Sequence, residues 1–315
     1  MRLYKLYKPI KFLLLTLLAI VWVTACSPNS SNTVSQDTPT RIIEHTMGET
    51  AVPENPQRIV ALEPFALESL LAMGIQPVGA PLDGLNTHLQ DKVEGITNIG
   101  NPPNLESVVA LKPDLIIGSQ YANQEIYSQA GQIAPTVLFQ FTGSGDWKQV
   151  INSVGNAINE KELATKVLAD YNQRIEDFKA QMGDSLSETE VSLVRVYPDG
   201  ISLYQKGSFA GTILEDAGLS RPSAQQGEDV QIKVTKERIL DADGDVMFVW
   251  TYSFDEKQKA EAETKLKQLQ DDPLWSKLNV VQKGQVYEVG EHWLGTGEIA
   301  ANLVIDDLFK HLVND

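Results

Sequence analysis

At 315 residues the chain is long enough for two domains, and 42% hydrophobic against 22% charged residues suits a soluble globular protein with a proper core. A formal charge of −16 argues against a nucleic-acid binder, which needs Lys and Arg to displace counterions, and against broad adsorption to anionic lipid. The single cysteine, Cys26, allows neither an intramolecular disulfide nor a cysteine-rich metal site.

Arg2, Lys5, Lys8 and Lys11 make a basic start, and Phe12 to Val23 is an apolar run too short to span a bilayer comfortably. It ends in Val23-Thr24-Ala25-Cys26, which resembles a bacterial lipobox. Residues 1–25 are therefore expected to be a signal peptide and Cys26 a lipidated cysteine, giving an exported protein anchored to the cell membrane by acyl chains alone, on its periplasmic side or outer surface. Cleavage removes four basic residues and no acidic ones, taking the formal charge from −16 to −20. Residues 26–40, rich in Ser, Asn, Thr and Pro, read as a flexible tether.

From Arg41 the pattern is α/β. Short apolar runs at Arg58 to Leu62, Val78 to Ala80, Leu115 to Gly118 and Thr136 to Phe139 read as strands. Pro64 to Met73, Leu105 to Leu111 and Asp146 to Ile158 read as helices between and after them, giving a first lobe over 41–158 with a mainly parallel sheet. Leu163, Val167, Leu168, Tyr171, Ile175, Phe178 and Met182 recur at steps of three and four without a Gly or Pro. Residues 159–183 thus predict one connecting helix, capped by Asn159, about 34 Å long. The pattern then restarts over 184–315. Strands are expected at Val191 to Val196, Ile201 to Tyr204, Val246 to Trp250 and Val286 to Val289. Helices are expected at Phe209 to Ala217, Val234 to Leu240, Asp255 to Leu269 and Gly297 to Leu312. The halves echo each other: Phe65-Ala66, seven residues, Gly74 is matched by Phe209-Ala210, seven residues, Gly218. These elements support two similar α/β lobes joined by a single long α-helix.

The sequence lacks a G-x-S-x-G elbow, a P-loop, an H-E-x-x-H and a glycine-rich dinucleotide fingerprint. Gly143-Ser144-Gly145 has no strand–turn–helix context that would make its serine a nucleophile. No enzyme and no intrinsic cofactor are expected. His45, His88, His292 and His311 lie far apart without paired spacing, which disfavours a zinc or manganese site, although His88 and His292 could meet across two lobes. In open α/β sheets ligands sit beyond the carboxyl ends of the strands. Tyr121, Arg195, Trp250, Tyr252 and Trp293 occupy such positions and are the candidate ligand residues, with arginine suited to carboxylate or hydroxamate oxygens and the aromatics to broad apolar contact.

Arg58-Ile59-Val60-Ala61-Leu62 with Glu68-Ser69-Leu70-Leu71-Ala72-Met73-Gly74 resembles the opening of the class III binding proteins of bacterial importers. The stretches Asn104-Leu105-Glu106-Ser107-Val108-Val109-Ala110-Leu111-Lys112-Pro113-Asp114-Leu115-Ile116-Ile117 and Ser208-Phe209-Ala210-Gly211-Thr212-Ile213-Leu214-Glu215-Asp216-Ala217-Gly218-Leu219 resemble the same family. Val194-Arg195-Val196 and the Trp293 region are closer to its ferric-siderophore branch than to the cobalamin or haem branches. A monomer is expected. The resemblance implies two Rossmann-like lobes joined by a single long α-helix with the ligand between them, iron arriving already chelated so that no protein metal site is needed, and delivery to an ABC permease with its ATPase subunits. It also implies docking through one acidic residue per lobe, at Glu68 and Glu215. One arginine among aromatics points to a hydroxamate or citrate–hydroxamate chelate. Cobalamin or haem is the alternative, and whether His88 or His292 completes iron coordination stays open.

Overall fold

The computed structural model describes residues 39–251 and 255–313; Cys26, residues 27–38 of its tether and Tyr252 lie outside them, and Thr40, expected in the tether, begins a strand. A hairpin of β1 (Thr40–His45) and β2 (Gly48–Pro53) opens the folded chain, which sequence patterning did not anticipate. The first sheet has five parallel strands in the order β5 (Thr97–Asn98), β4 (Gly79–Ala80), β3 (Ile59–Ala61), β6 (Leu115–Ser119), β7 (Thr136–Phe139). The second is mixed, in the order β10 (Gln231–Val234), β9 (Gly200–Tyr204), β8 (Val191–Tyr197), β11 (Val246–Trp250), β12 (Val286–Glu288). Here β9 runs antiparallel to β8 because Pro198-Asp199-Gly200 turns the chain straight back, and β10 pairs antiparallel with β9. The stretch expected to be a helix at Val234 to Leu240 instead ends β10 and continues as a tight 3₁₀ turn over Lys236–Ala242.

The connecting helix is Lys161–Met182, and Tyr171, Ile175, Phe178 and Met182 are buried on its one apolar face. Its cap differs from expectation. Asn159 sits at φ 65 and finishes the preceding helix Trp147–Ala157, with the Glu160 amide returning to the Gly155 carbonyl at 2.8 Å; a left-handed residue there is a helix exit rather than an entry. The echoed glycines act alike: Gly74 and Gly218 adopt φ 74 and 75, and the amides of Ile75 and Leu219 close onto Leu70 and Leu214 at 2.9 and 3.0 Å.

Alternation along the strands divides the interior into three. Val60, Leu62 and Ile116 pack on one face of the first sheet, and Val194, Val196, Met247 and Val249 on one face of the second. Ile59, Ala61, Leu115 and Ile117 of the first sheet share a single core with Leu193, Phe248 and Trp250 of the second. The connecting helix and the closing helix Glu298–Leu312 belong to that shared core. Among the described residues no helix is long and apolar enough to cross a membrane.

Candidate functional site

Strand β8 sends Arg195 to the same face as Leu193, toward the shared core, at the carboxyl end of the second sheet. Its Nη1 donates to the Tyr204 hydroxyl at 3.0 Å, and its guanidinium lies 4.3 Å from the centroid of Tyr197. Tyr197 and Tyr204 meet at 3.2 Å, and Tyr197 donates to Gln231 Oε1 at 3.1 Å. Burial pushes the Tyr204 phenol well above its ordinary value, against the pull of Arg195, so it stays a neutral hydrogen-bonding group. A planar cation stacked on one ring and bonded to a second is held at a fixed angle.

Arg195 opens into a cavity of about 200 Å³ formed by Pro64, Leu85, Asn86 and Leu89 from the first half and Arg195, Leu294 and Thr296 from the second. Pro64 follows β3, so the cavity lies beyond the carboxyl ends of strands in both sheets. From it a row of rings leads along the first half: Phe65 to Phe141 at 4.4 Å, then Phe141 to Tyr121 at 6.0 Å. Tyr121 is 82% exposed. Phe65 and Phe141 are not among the sequence's candidate ligand residues, though both follow strands of the first sheet, the position that selects Tyr121.

The two tryptophans stand at or beyond strand ends, as patterning places them, but their side chains are covered. Trp250 pairs with Arg195 in the ladder and Trp293 follows β12, yet both are buried in the shared core. Trp293 stacks on Phe248 at 4.4 Å and donates its Nε1 to Asp307 at 2.8 Å, while Tyr204 covers Trp250 edge-on at 5.0 Å. They form the packed layer behind Arg195 rather than the cavity wall. Asp307 also meets His292 at 2.7 Å; its carboxyl is raised by burial but brought below its ordinary value overall by these two partners. His88 lies instead beside Glu68, its Nε2 3.7 Å from Oε1. Among the described residues no cluster of His, Cys, Asp and Glu could hold a metal ion.

The expectation that Glu68 and Glu215 stand on the surfaces of their lobes is corrected for Glu68. Glu215 is exposed, with Lys206 3.7 Å away, whereas Glu68 is 0% exposed. Its Oε2 accepts from the amide (3.2 Å) and hydroxyl of Thr296, and its Oε1 accepts from the Ala300 amide at 2.8 Å. Counted from the glycine exits, Glu68 is six residues back and Glu215 only three. That offset of three residues rotates the side chain about 60° around the helix. The position matching Glu68 is Thr212, which also reaches across, accepting from Trp147 Nε1 at 3.2 Å.

A two-sheet α/β chain with an arginine-bearing cavity between its halves has the layout of a ligand-binding protein. The family model described as Periplasmic binding protein matches residues 59–292, and the chain belongs to that family. Its relatives make the class more particular. A probable siderophore-binding lipoprotein of Bacillus subtilis, YfiY, is 37% identical over 96% of this chain and 97% of its own. An achromobactin-binding periplasmic protein of Dickeya dadantii is 29% identical over 81% of this chain and 86% of its own. SirA of Staphylococcus aureus, solved with staphyloferrin B, superposes with a TM-score of 0.78 at 28% identity, covering 87% of this chain and 98% of that one.

Proposed function

We propose that this chain is the substrate-binding component of an ABC importer, capturing a ferric siderophore between its two halves and delivering it to a membrane permease for iron uptake. The observation that carries the reading is Arg195, fixed by Tyr197 and Tyr204 and facing a cavity shared by both halves. A guanidinium so placed offers paired donors to the oxygens of an anionic chelate, and the Phe65–Phe141–Tyr121 row offers apolar surface to the rest of it. The metal travels as part of the cargo, so the protein supplies no ligand to it.

One arginine among aromatics suits a hydroxamate or citrate–hydroxamate chelate better than a trianionic catecholate. Lipidation of Cys26 anchors the chain by its tether, and Glu215 pairs with a permease arginine. Residues 41–158 and 184–315 act as the two lobes, joined by 159–183, and one molecule serves one permease. Tyr252, two residues after β11 in sequence and outside the described residues, is kept as a candidate ligand contact. A fluorescence titration against ferric hydroxamates, citrate-based chelates and catecholates tests the reading. Submicromolar quenching by the first two groups is expected; quenching by haem or cobalamin instead would overturn it.

A further inference from the structure

Glu68 accepts three hydrogen bonds from Thr296 and Ala300, and all of them cross between the halves of the molecule. The helix it starts from, Pro64–Ala72, belongs to the first half, and the helix N-terminus it caps, that of Glu298–Leu312, to the second. A carboxylate at a helix N-terminus satisfies amides that have no intrahelical partner and meets the positive end of the helix dipole. The closing helix has no side-chain cap of its own, since Gly297 stands at that position. Space there is measured to the carboxylate: a Cβ on Gly297 would come 2.9 Å from Glu68 Cγ. Thr296 itself lines the cavity, so the contact forms part of its base.

We propose that Glu68 is a latch between the halves, a positioning residue that sets how far they stand apart and so controls ligand entry and exit. The cavity supports this. At about 200 Å³ it is smaller than the roughly 300–1,000 Å³ of sites for drug-sized ligands. A chelate enters only when the halves separate, and separation uncaps the closing helix and leaves the Glu68 carboxylate without its partners. Opening at the cavity therefore breaks the three hydrogen bonds of one buried side chain, in addition to any strain on the shared core. His88, buried 3.7 Å from Oε1, and Glu298, at the helix start, are the titratable groups beside the latch. That the latch controls siderophore traffic rests on the function proposed above; that it holds the halves does not.

The test compares the wild type with Glu68→Ala and, from the other half, Gly297→Ala, which pries at the contact without changing any charge. In the ligand-free proteins, hydrogen exchange should show residues 296–301 losing protection while Val304 to Leu308 keep theirs, and small-angle scattering should show a larger radius of gyration. With ferric staphyloferrin B as the probe, stopped-flow tryptophan fluorescence should show both association and dissociation faster, dissociation by about tenfold, a coupling of ordinary size. A merely structural role lowers the melting temperature in both variants and leaves the radius and the rates alone, which would overturn the latch. Unchanged protection at 296–301 would overturn it as well. If the wild type binds no chelate, the ligand reading falls, and the exchange and scattering of the ligand-free variants still decide the latch. Should Glu68→Ala fail to fold, Gly297→Ala decides alone.

Discussion

Three carboxylates illustrate how little a residue type says without its surroundings. Glu63 and Glu68 sit on one helix turn and its cap, both buried, while Glu215 is exposed. Glu63 accepts from the amides of Phe65 and Ala66 at 3.0 and 2.8 Å, but burial outweighs those bonds and pushes its carboxyl up to about 7. A carboxyl raised on folding contributes stability that is complete below its unfolded value near 4.5 and is lost as pH rises through about 7. That contribution is on the order of 3 kcal/mol. Urea unfolding at pH 5 and pH 8 should therefore show a fall in wild-type stability that Glu63→Gln reduces; parallel behaviour of the two proteins would contradict it. Arg195→Ala should weaken siderophore binding by roughly 1–4 kcal/mol, as for a central anchor, seen as a displaced titration midpoint. Trp293→Ala acts differently. With its ring stacked in the core and its Nε1 on Asp307, removal should cost about 3–5 kcal/mol of stability, read from the shift in urea midpoint.

At the level of elements, the halves are joined by more than the connecting helix. Trp147, Tyr171 and Phe209, from the first half, the connecting helix and the second half, pack ring against ring at 4.9 and 5.8 Å. Asp216 ties the same three elements by accepting from Tyr171 at 2.6 Å and from Lys148. Burial first, and then the Asp216 charge, hold the Tyr171 phenol far above its ordinary value, so it remains a donor at any working pH. Tyr171→Phe deletes one bond to a charged group and should lower stability by about 1.5–3 kcal/mol by chemical denaturation. The Gly143-Ser144-Gly145 loop belongs to this junction too. Ser144 accepts from the Phe209 amide at 3.1 Å, and a side chain at position 145 would meet the Gly207 carbonyl at 2.9 Å.

For the whole molecule, the shared core makes the halves one packed body rather than two domains on a strut. With Glu68 turned inward, Glu215 remains the candidate for permease docking. A rim charge of this kind affects encounter and orientation more than affinity. Glu215→Ala should bind ferric siderophore as the wild type does while stimulating the reconstituted transporter's ATPase several-fold less; normal stimulation would return Glu215 to an ordinary solvated residue.

The local pattern determined most of the elements. The three- and four-residue spacing in 161–182 fixed the connecting helix, short apolar runs fixed β6, β7 and β11, and Gly74 and Gly218 fixed two helix exits, because each depends on neighbours within one or two turns. The strand-end rule reached Arg195 for the same reason. What tertiary structure alone decided was which of these residues face a cavity and which are covered. Trp250 and Trp293 carry the same aromatic signal as Tyr121, and only the packing of the second half over them makes them core. Glu68 left one trace, a helix apolar nearly all round its circumference, with Ala66 to Leu70 all buried. Its partners lie more than 200 residues away at Thr296 and Ala300, and no local spacing encodes a contact that exists only once the two halves meet.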